Sequence, residues 1–305
     1  MAKLTQQQFQ KAVTFIKQTA RPLDVAHYNY EFENGDVDAV LRELAVYQNE
    51  DGGFGHGIEP DFRLNASSPM ATSVGLQYCI QLDVHGNHPI VQNAVRYLVQ
   101  TYSKTDDYWP STYENVNDEP HAWWWHVKEF APPTEEQWPN VSAELAGCVA
   151  RYATLFSEEF VTQVINRAKQ NLAATDIISP LYSVLCWQRA ASHFEPPFKS
   201  KVQDKLKQTF ASMSPISQET LQEIDVVSVA PTPDSIFATQ FPDNVNTLLD
   251  IQITQQAADG GWWPSWEWGQ FEEVWPIAQK EWAGKITLGC LLALRAFGKI
   301  EGRGK

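Results

Sequence analysis

The chain has 305 residues, of which 43% are hydrophobic and 12% aromatic, so it is long enough to bury a substantial core. Its 37 acidic and 23 basic residues give a formal net charge of −14, which disfavours binding to nucleic acid or to an anionic membrane. No apolar run approaches the roughly 18 residues of a membrane-spanning helix, and no hydrophobic segment follows a basic N-terminus.

Hydrophobic residues recur at helical spacing along most of the chain, and no stretch alternates convincingly as a strand does. Two helix starts carry capping signals: Asp36 is a candidate N-cap, and Ser68 is followed by Pro69 at the first helical position. Residues 214–235 are weakly patterned and give no prediction. The predicted helices span 5–19, 36–49, 69–82, 89–102, 143–156, 160–172, 180–191, 198–210, 244–256 and 284–297.

The predicted helices alternate in character along the chain. Amphipathic helices are followed by helices that are apolar on nearly every side, such as 69–82 and 284–297. Two concentric layers explain this alternation, because outer helices keep a wet face and inner helices do not. The helices predict an all-α fold. At roughly 45 to 50 residues per hairpin, the chain length favours an α/α toroid of about six hairpins over an open α-solenoid.

The absence of a linker-like segment predicts one domain over residues 1–299. Residues 300–305 resemble the remnant of a protease-cleavage site and are left out of the predicted domain. The cysteines stand apart from one another in apolar helical patterns, which favours buried thiols over disulfides or zinc and predicts a cytoplasmic location. They are Cys79, Cys148, Cys186 and Cys290.

Two segments of the chain repeat one motif. Residues 48–54 read Gln-Asn-Glu-Asp-Gly-Gly-Phe, and residues 256–262 read Gln-Ala-Ala-Asp-Gly-Gly-Trp. Both resemble the repeats of the terpenoid cyclase and protein prenyltransferase β-subunit superfamily, and the Asp-Gly-Gly-Phe-Gly-His start is similar to that of uncharacterised bacterial proteins. The resemblance implies an α/α toroid with an isoprenoid-like substrate in its cavity. It also implies scaffold roles for Gln48, Asp51, Phe54, Gln256, Asp259 and Trp262.

The catalytic motifs of that superfamily are missing. Squalene-type cyclases use Asp-x-Asp-Asp at the entry of an inner helix, whereas residues 65–72 carry no acid. Ionisation-type synthases bind magnesium through Asp-Asp-x-x-Asp, whereas residues 106–107 are followed by Tyr-Trp-Pro. No Asp, Cys and His set matches the prenyltransferase zinc site, and His121, His126 and Glu144 lack His-Glu-x-x-His spacing. We therefore expect no metal and no cofactor.

The densest group of ionisable side chains follows the first repeat. His56, Glu59, Asp61 and Arg63 fall within eight residues, in a loop between an outer and an inner helix that Pro60 stiffens. Neighbouring carboxylates raise each other's pKa, which keeps an acid protonated near neutrality. We expect Glu59, Asp61 and His56 to be catalytic and Arg63 to bind an anionic substrate. The alternative is structural, with Arg63 paired to Asp61 and His56 capping a helix.

A second group lies in the long aromatic loop 106–140, where residues 121–126 read His-Ala-Trp-Trp-Trp-His. Loops of more than about 15 residues are usually functional or disordered, and so many aromatic residues argue against disorder. We expect a lid or one wall of a binding site; the alternative is a loop that plugs the ring by burying tryptophan. The predicted ligand-binding residues are Trp123, Trp124, Trp125 and His126.

A third group follows the second repeat, in residues 262–268 and 275–282. Tryptophan faces stabilise carbocations and also stack on sugar rings, and two glutamates would serve as the acid/base pair of a glycoside-cleaving site. Packing of the last repeat is the better explanation for Trp262 and Trp282. The predicted ligand-binding residues are Trp263, Trp266, Glu267, Trp268 and Glu281.

Three functions fit these groups. An enzyme that acts by acid catalysis on an isoprenoid-like substrate, in an apolar cavity with a carboxylate-bearing mouth, follows from the resemblance. A carbohydrate-active toroid, either a lyase or a hydrolase, follows from the carboxylates and tryptophans. A binding scaffold keeps the shape without catalysis. We expect a small-molecule pocket where the 56–63 loop meets aromatic residues from 123–125 or 262–268, and no nucleic-acid partner. The sequence does not predict an oligomeric state.

Overall fold

The computed structural model describes residues 2–129, 131–214, 216 and 224–302, and within these ranges the protein is all-helical. Extended contacts there are isolated bridges, such as that between Gln48 and Phe54. The predicted all-α fold is confirmed. The first helices are α1 (Gln6–Thr19), α2 (Pro22–Phe32), α3 (Val37–Ala45), α4 (Pro69–Gln81), α5 (Pro89–Thr101), α6 (Pro139–Arg151) and α7 (Glu158–Ala174). The later helices are α8 (Leu181–Ala191), α9 (Phe198–Ser212), α10 (Val226–Val229), α11 (Ile236–Gln240), α12 (Pro242–Thr254) and α13 (Trp275–Ala296).

Each helix predicted from the sequence is present, with some shifted boundaries. Helix α3 ends at Ala45 rather than at residue 49, because the next residues already turn towards the Asp-Gly-Gly motif. Helix α13 begins at Trp275 rather than at residue 284, because Gln279, Lys280 and Glu281 interrupt the apolar pattern in its first turns. The predicted caps are confirmed: the Ser68 side chain accepts from Ala71 N, and the Asp36 side chain accepts from Asp38 N.

Three helices in the described ranges were not predicted. Helix α2 buries polar residues, since Arg21 Nε donates to Asp24 Oδ2 at 2.8 Å and both side chains are buried. A buried ion pair of this kind breaks the apolar periodicity on which a sequence prediction depends. The short helices α10 and α11 lie in or next to the segment 214–235, which gave no prediction; residues 215 and 217–223 of that segment lie outside the described residues.

The chain divides into two compact units, which are described separately. The first unit comprises Met1–Glu43, Phe210–Glu267 and Glu272–Lys305, and the second comprises Leu44–Thr209 and Trp268–Phe271. The predicted single domain and the closed ring stay predictions. All four cysteines fall in the described ranges and are buried and unpaired, as expected. No helix in those ranges has both the length and the apolar character needed to cross a membrane.

In the second unit, α4, α6 and α8 lie side by side, with α6 in the middle. Helix α5 packs on α4, and helix α7 packs on α6. Helix α6 is buried along nearly its whole length, from Pro139 to Val149. On the side that carries Gln77, Leu185 and Arg189, helices α4 and α8 are partly exposed. We name this side the open face of α4, α6 and α8.

In the first unit, the two ends of the chain meet. Helix α13 packs against α1 and α2, and Leu4 pairs with Ile300 in a parallel bridge. Leu4 N donates to Lys299 O at 2.8 Å, and Glu301 N donates to Leu4 O at 3.0 Å. Ile300 is buried, so the ordered unit extends past residue 299. Residues 303–305 of the predicted tail lie outside the described residues.

The first Asp-Gly-Gly turn is held by two side chains. Gln48 Nε2 donates to Gly52 O and to Ile90 O, each at 2.9 Å. Asp51 Oδ1 accepts from Gly53 N at 2.9 Å. The glutamine therefore fastens the turn to the first turn of α5, and the aspartate closes the turn itself, which agrees with the scaffold role that the resemblance implies.

The second Asp-Gly-Gly turn is built in the same way. Gln256 Nε2 donates to Gly260 O at 2.9 Å and to Gln8 O at 3.0 Å. Asp259 Oδ1 accepts from Gly261 N at 3.0 Å. Here the glutamine fastens the turn to the first turn of α1, so α1 takes the place that α5 has in the first repeat.

The aromatic residue of each motif is also placed alike. Phe54 N donates to Thr72 Oγ1 of α4 at 3.0 Å, and Trp262 N donates to Thr287 Oγ1 of α13 at 2.9 Å. Both aromatic side chains are buried. The hairpin of α4 and α5 is therefore matched by a hairpin of α13 and α1, whose two helices come from opposite ends of the chain.

Glu31 links α2 to α13 in the first unit and gives a pH-dependent prediction. Its carboxylate lies 3.6 Å from His27 Nε2 and accepts a hydrogen bond from Arg295. Contact with His27 lowers the pKa of Glu31, burial raises it, and the charge and hydrogen bond of Arg295 lower it. Together these effects lower the pKa of Glu31 from 4.5 to about 2. Because the folded pKa is depressed, the stabilisation is complete above the unfolded pKa and is lost as pH falls from about 4.5 to 2.

We expect Glu31→Gln to be less stable than the wild type at pH 7 and to approach it in stability at pH 3. Urea unfolding at both pH values measures the two free energies. An equal difference between wild type and variant at pH 7 and pH 3 would contradict the assignment.

Candidate functional site

The loop predicted as the catalytic centre lies in the second unit, and His56 within it is tied to the neighbouring turn. His56 is exposed and has a positive φ of 54°, and its Nε2 lies 2.8 Å from Asn49 Oδ1. The Asn49 amide donates to Ser67 Oγ at 3.0 Å, and that hydroxyl donates to Asp51 Oδ1 at 2.7 Å. His56 is thus connected to the Asp-Gly-Gly turn rather than to a helix end.

Asp61 joins two of the predicted groups. It is 6% exposed, and its Oδ1 accepts from Trp268 Nε1 at 2.9 Å. Its backbone carbonyl accepts from Ala122 N at 2.8 Å, and Phe62 next to it pairs with His121 in an antiparallel bridge. The carboxylate-bearing loop therefore contacts the aromatic segments, as the sequence predicts. These contacts are hydrogen bonds between the segments themselves.

Glu59 and Arg63 are half-buried in the same loop. The Arg63 guanidinium packs against Gly57, since a Cβ added at Gly57 would lie 3.0 Å from Arg63 Cζ. Arg63 N donates to Pro120 O at 2.8 Å, which continues the pairing of this loop with residues 120–122. Catalysis by His56, Glu59 or Asp61, and anion binding by Arg63, stay predictions.

His121 and His126 form a contact pair. The two rings are within 17° of parallel, and His126 Nδ1 lies 3.4 Å from His121 Nε2. His121 Nδ1 lies 2.6 Å from Glu119 O, so this nitrogen donates to the carbonyl. Glu144 bonds elsewhere, to Gln77 and Arg189. Among the described residues, no group of three His, Cys, Asp or Glu is arranged to hold a metal ion.

The three consecutive tryptophans differ in exposure. Trp123 is 65% exposed and Trp124 39% exposed, and their rings meet edge to face at 5.7 Å. Trp125 is half-buried and contacts Phe62 at 4.9 Å between ring centroids. In the part of the chain that the structure describes, the buried Trp125 Nε1 has no hydrogen-bond partner. Two of these three tryptophans are therefore accessible.

Trp263 and Trp266, which are also predicted to bind a ligand, belong to the first unit. Trp263 Nε1 donates to Asp259 Oδ2 at 3.1 Å, which ties this indole to the second turn. Trp266 meets Trp282 edge to face at 5.3 Å, and Lys285 Nζ lies 4.9 Å from the centroid of the Trp282 ring. The Trp282 ring thus already contacts a cation of the protein, which supports the packing explanation for this residue.

Glu267 and Glu281 are the predicted acid/base pair of the third group. Both belong to the first unit, where Glu267 is exposed and Glu281 is half-buried in α13. Trp268, which follows Glu267 directly, belongs to the second unit. Catalysis by the two glutamates stays a prediction.

The second unit contains a pocket of about 310 Å³ at the open face of α4, α6 and α8. This volume is at the lower end of the range of about 300–1,000 Å³ that is usual for small-molecule sites. None of the residues predicted from the sequence to be at the site lies in its lining. The lining residues are Gln77, Ile80, Gln81, Glu144, Cys148, Arg189 and His193.

A buried carboxylate organises the pocket. Glu144 is 4% exposed, and it accepts hydrogen bonds from Gln77 Nε2 and from Arg189 Nε, the latter at 2.8 Å. Arg189 Nη2 also lies 2.7 Å from Glu144 Oε2, while 41% of the Arg189 side chain is exposed. The guanidinium is therefore anchored on one edge and accessible on the other.

The ionisation of the other lining residues follows from burial. Burial raises the pKa of the Cys148 thiol well above 9.0, and that of neighbouring Cys186 to about 12, so neither is a thiolate at neutral pH. Burial, together with the charges of Arg151 and Lys199, lowers the pKa of His193 below 6.5. His193 is therefore a neutral imidazole at neutral pH, with one donor and one acceptor nitrogen.

A smaller pocket of about 220 Å³ in the same unit has its carboxylates engaged by the protein. Glu135 accepts from Arg167 and Asn171, each at 2.8 Å, and Glu136 accepts from Ser179 Oγ at 3.1 Å. Its volume is below the usual range of about 300–1,000 Å³, which leaves the 310 Å³ pocket as the stronger candidate site.

A sequence signal for this pocket exists, although the prediction missed it. Gln77, Glu144 and Arg189 interrupt helices that are otherwise apolar on nearly every side. A polar residue on an inner helix is costly to bury unless it has a partner or a ligand. Each of the three was a sign of a site, but only the fold brings them together.

Comparison of this chain with protein-family models, with curated proteins and with solved structures found no match. The resemblance to the terpenoid cyclase and prenyltransferase superfamily therefore rests on the two repeats and stays a prediction.

Proposed function

We propose that the protein is an enzyme with α/α-toroid architecture, whose small-molecule substrate binds in the 310 Å³ pocket at the open face of α4, α6 and α8. The observation that carries this proposal is the buried Glu144, which holds Gln77 and Arg189 so that their remaining hydrogen-bonding groups are at the pocket. The pairing of α13 with α1, matching that of α4 with α5, supports ring closure by the two chain ends.

Stability alone explains the Glu144–Arg189 pair poorly. Desolvation of a buried carboxylate offsets most of the attraction to its partner, so apolar residues of similar volume would stabilise the fold at least as well. Ionisable groups that are held in a concave pocket by a specific partner are typical of functional sites. Glu144 is 4% exposed and lies at such a pocket.

General acid–base chemistry remains part of the proposal, with a base in place of the predicted acid. A neutral His193 at the pocket is suited to accept a proton, whereas Asp61 already accepts from the Trp268 indole. Acid catalysis by Glu59 or Asp61 is therefore the second choice. A cytoplasmic location belongs to the same proposal, because four buried free thiols fit a reducing compartment.

Incubation with a mixture of cellular metabolites and soluble oligosaccharides, followed by mass spectrometry, tests for turnover. We expect the wild type to change the abundance of at least one compound. Arg189→Lys keeps the charge opposite Glu144 but loses the fork of the guanidinium, so we expect it to lower that turnover at least about tenfold. Glu59→Gln, in the loop predicted from the sequence, serves as the comparison variant and should retain turnover.

Circular dichroism of each variant confirms that its helices are intact. If Glu59→Gln abolishes turnover while Arg189→Lys retains it, the chemistry lies at the 56–63 loop and the pocket assignment is wrong. If the wild type changes no compound, the protein is a binding scaffold and the enzyme proposal fails.

A further inference from the structure

The pocket presents four hydrogen-bonding groups that no protein group uses in the part of the chain that the structure describes. They are Gln77 Oε1, the Gln81 amide, Arg189 Nη1 and the His193 ring. The orientation of the Gln77 amide is fixed by chemistry, because the Glu144 carboxylate only accepts and Gln77 must therefore donate its Nε2. Its carbonyl oxygen is left as an acceptor towards a ligand.

These groups mix donors with acceptors. Gln77 offers an acceptor, Arg189 offers donors, and Gln81 and His193 each offer both. A hydroxyl group is itself both donor and acceptor, so neighbouring hydroxyls of a sugar match such a set. A ligand with acceptors only would leave the Gln77 oxygen without a partner, and an unpaired buried polar group costs roughly 1–3 kcal/mol.

The charge of the lining is balanced. Glu144 and Arg189 neutralise each other, and the lowered pKa of His193 keeps this ring uncharged at neutral pH. Of the cations near His193, Arg151 is paired with Asp83, and Lys199 donates to Ser192 O at 3.2 Å; neither lies in the lining. Binding of a diphosphate requires several charge-assisted hydrogen bonds. Arg189 already uses one edge of its guanidinium for Glu144, so the lining suits a neutral ligand better than a diphosphate.

The remaining lining is apolar. Ile80 and the neutral thiol of Cys148 provide surface that suits the C–H faces of a sugar ring. A ligand made of hydrocarbon alone would cover Gln81, His193 and the accessible edge of Arg189 without bonding them. The pocket thus disfavours an isoprenoid, which the resemblance implies.

From this combination we propose that the pocket binds a neutral polyhydroxylated ligand, a sugar or a closely related polyol. The assignment rests on the proposed function of the pocket as the substrate site and names the class of substrate.

Isothermal titration calorimetry with a defined panel tests this class. The probes are neutral trisaccharides (maltotriose, cellotriose, xylotriose and chitotriose), trigalacturonate as the anionic sugar, and farnesol and farnesyl diphosphate as isoprenoids. Gln81→Leu removes one hydrogen-bonding group from the exposed end of α4. Gln170→Leu makes the same change at an exposed position of α7 and is the matched control.

We expect at least one neutral trisaccharide to bind the wild type and Gln170→Leu equally, and to bind Gln81→Leu about tenfold more weakly, the equivalent of about 1.4 kcal/mol. Equal binding to Gln81→Leu, or no binding of any neutral trisaccharide, overturns the inference. Binding of trigalacturonate or an isoprenoid alone, weakened by Gln81→Leu, overturns the neutral class but leaves the pocket as the substrate site. Failure of the site itself shows separately, as turnover that Arg189→Lys does not change.

Discussion

Gly52→Ala is expected to destabilise the protein by about 3–5 kcal/mol, because an alanine side chain has no space in the first Asp-Gly-Gly turn. Gly52 has a φ of +92°, and an added Cβ would lie 2.2 Å from Asn93 O. The obstacle is backbone of α5, which cannot move without separating the turn from the helix that Gln48 fastens to it. The equivalent Gly260, with a φ of +96°, would place its Cβ 2.5 Å from the Lys11 carbonyl of α1.

Gly269→Ala is the matched control for this effect. Gly269 has a φ of +70°, but an added Cβ would meet only the Trp123 ring, at the ordinary distance of 3.6 Å. Its cost is therefore that of the left-handed backbone alone, about 1–2 kcal/mol. Thermal unfolding should show a loss for Gly52→Ala of roughly 10 °C or more and a clearly smaller loss for Gly269→Ala. Equal losses would mean that the turn does not press on α5 as described.

The helices could be predicted because their stability depends on local patterns. The apolar stripe of α5 and the Ser68-Pro69 start of α4 are both visible in a short window of sequence. The scaffold role of Gln48 is implied by the resemblance, and the bonds that each copy of the motif forms agree with it. Helix α2 escaped prediction because Asp24 and His27 are buried with partners instead of apolar residues.

The candidate site could be predicted only in part. Asp61 does meet an aromatic segment, through Trp268, but these residues stand 207 positions apart and the bond between them is not encoded by either local motif. The pocket was missed for the same reason, since Glu144 bonds to residues 67 positions before it and 45 positions after it. Charge clusters in a sequence mark dense local chemistry, whereas this pocket assembles single polar residues from three helices that look apolar.

The two chain ends give the prediction with the largest expected effect. Helix α1 buries Phe9, Val13 and Ile16 in the first unit and packs against α13. It also supplies the Gln8 carbonyl that Gln256 uses and is thus the partner of the second Asp-Gly-Gly turn. Deletion of residues 2–20 should therefore abolish cooperative unfolding, because α13 and this turn lose the surface on which they pack.

A circular permutant separates this contact from the order of the chain. The ends are adjacent, since Leu4 bonds to Lys299 and Glu301, so a linker of about four glycines should join residue 302 to residue 2 without strain. New ends between Lys104 and Thr105, which are exposed in a turn, leave every helix whole. If α1 acts as the outer helix of a hairpin with α13, the permutant should keep the helical circular dichroism signal and melt within a few degrees of the wild type. The deletion variant should then show no cooperative transition. A permutant that fails to fold, or a deletion variant that melts like the wild type, would show that α1 does not complete the last hairpin, and the ring closure proposed on that pairing would fail with it.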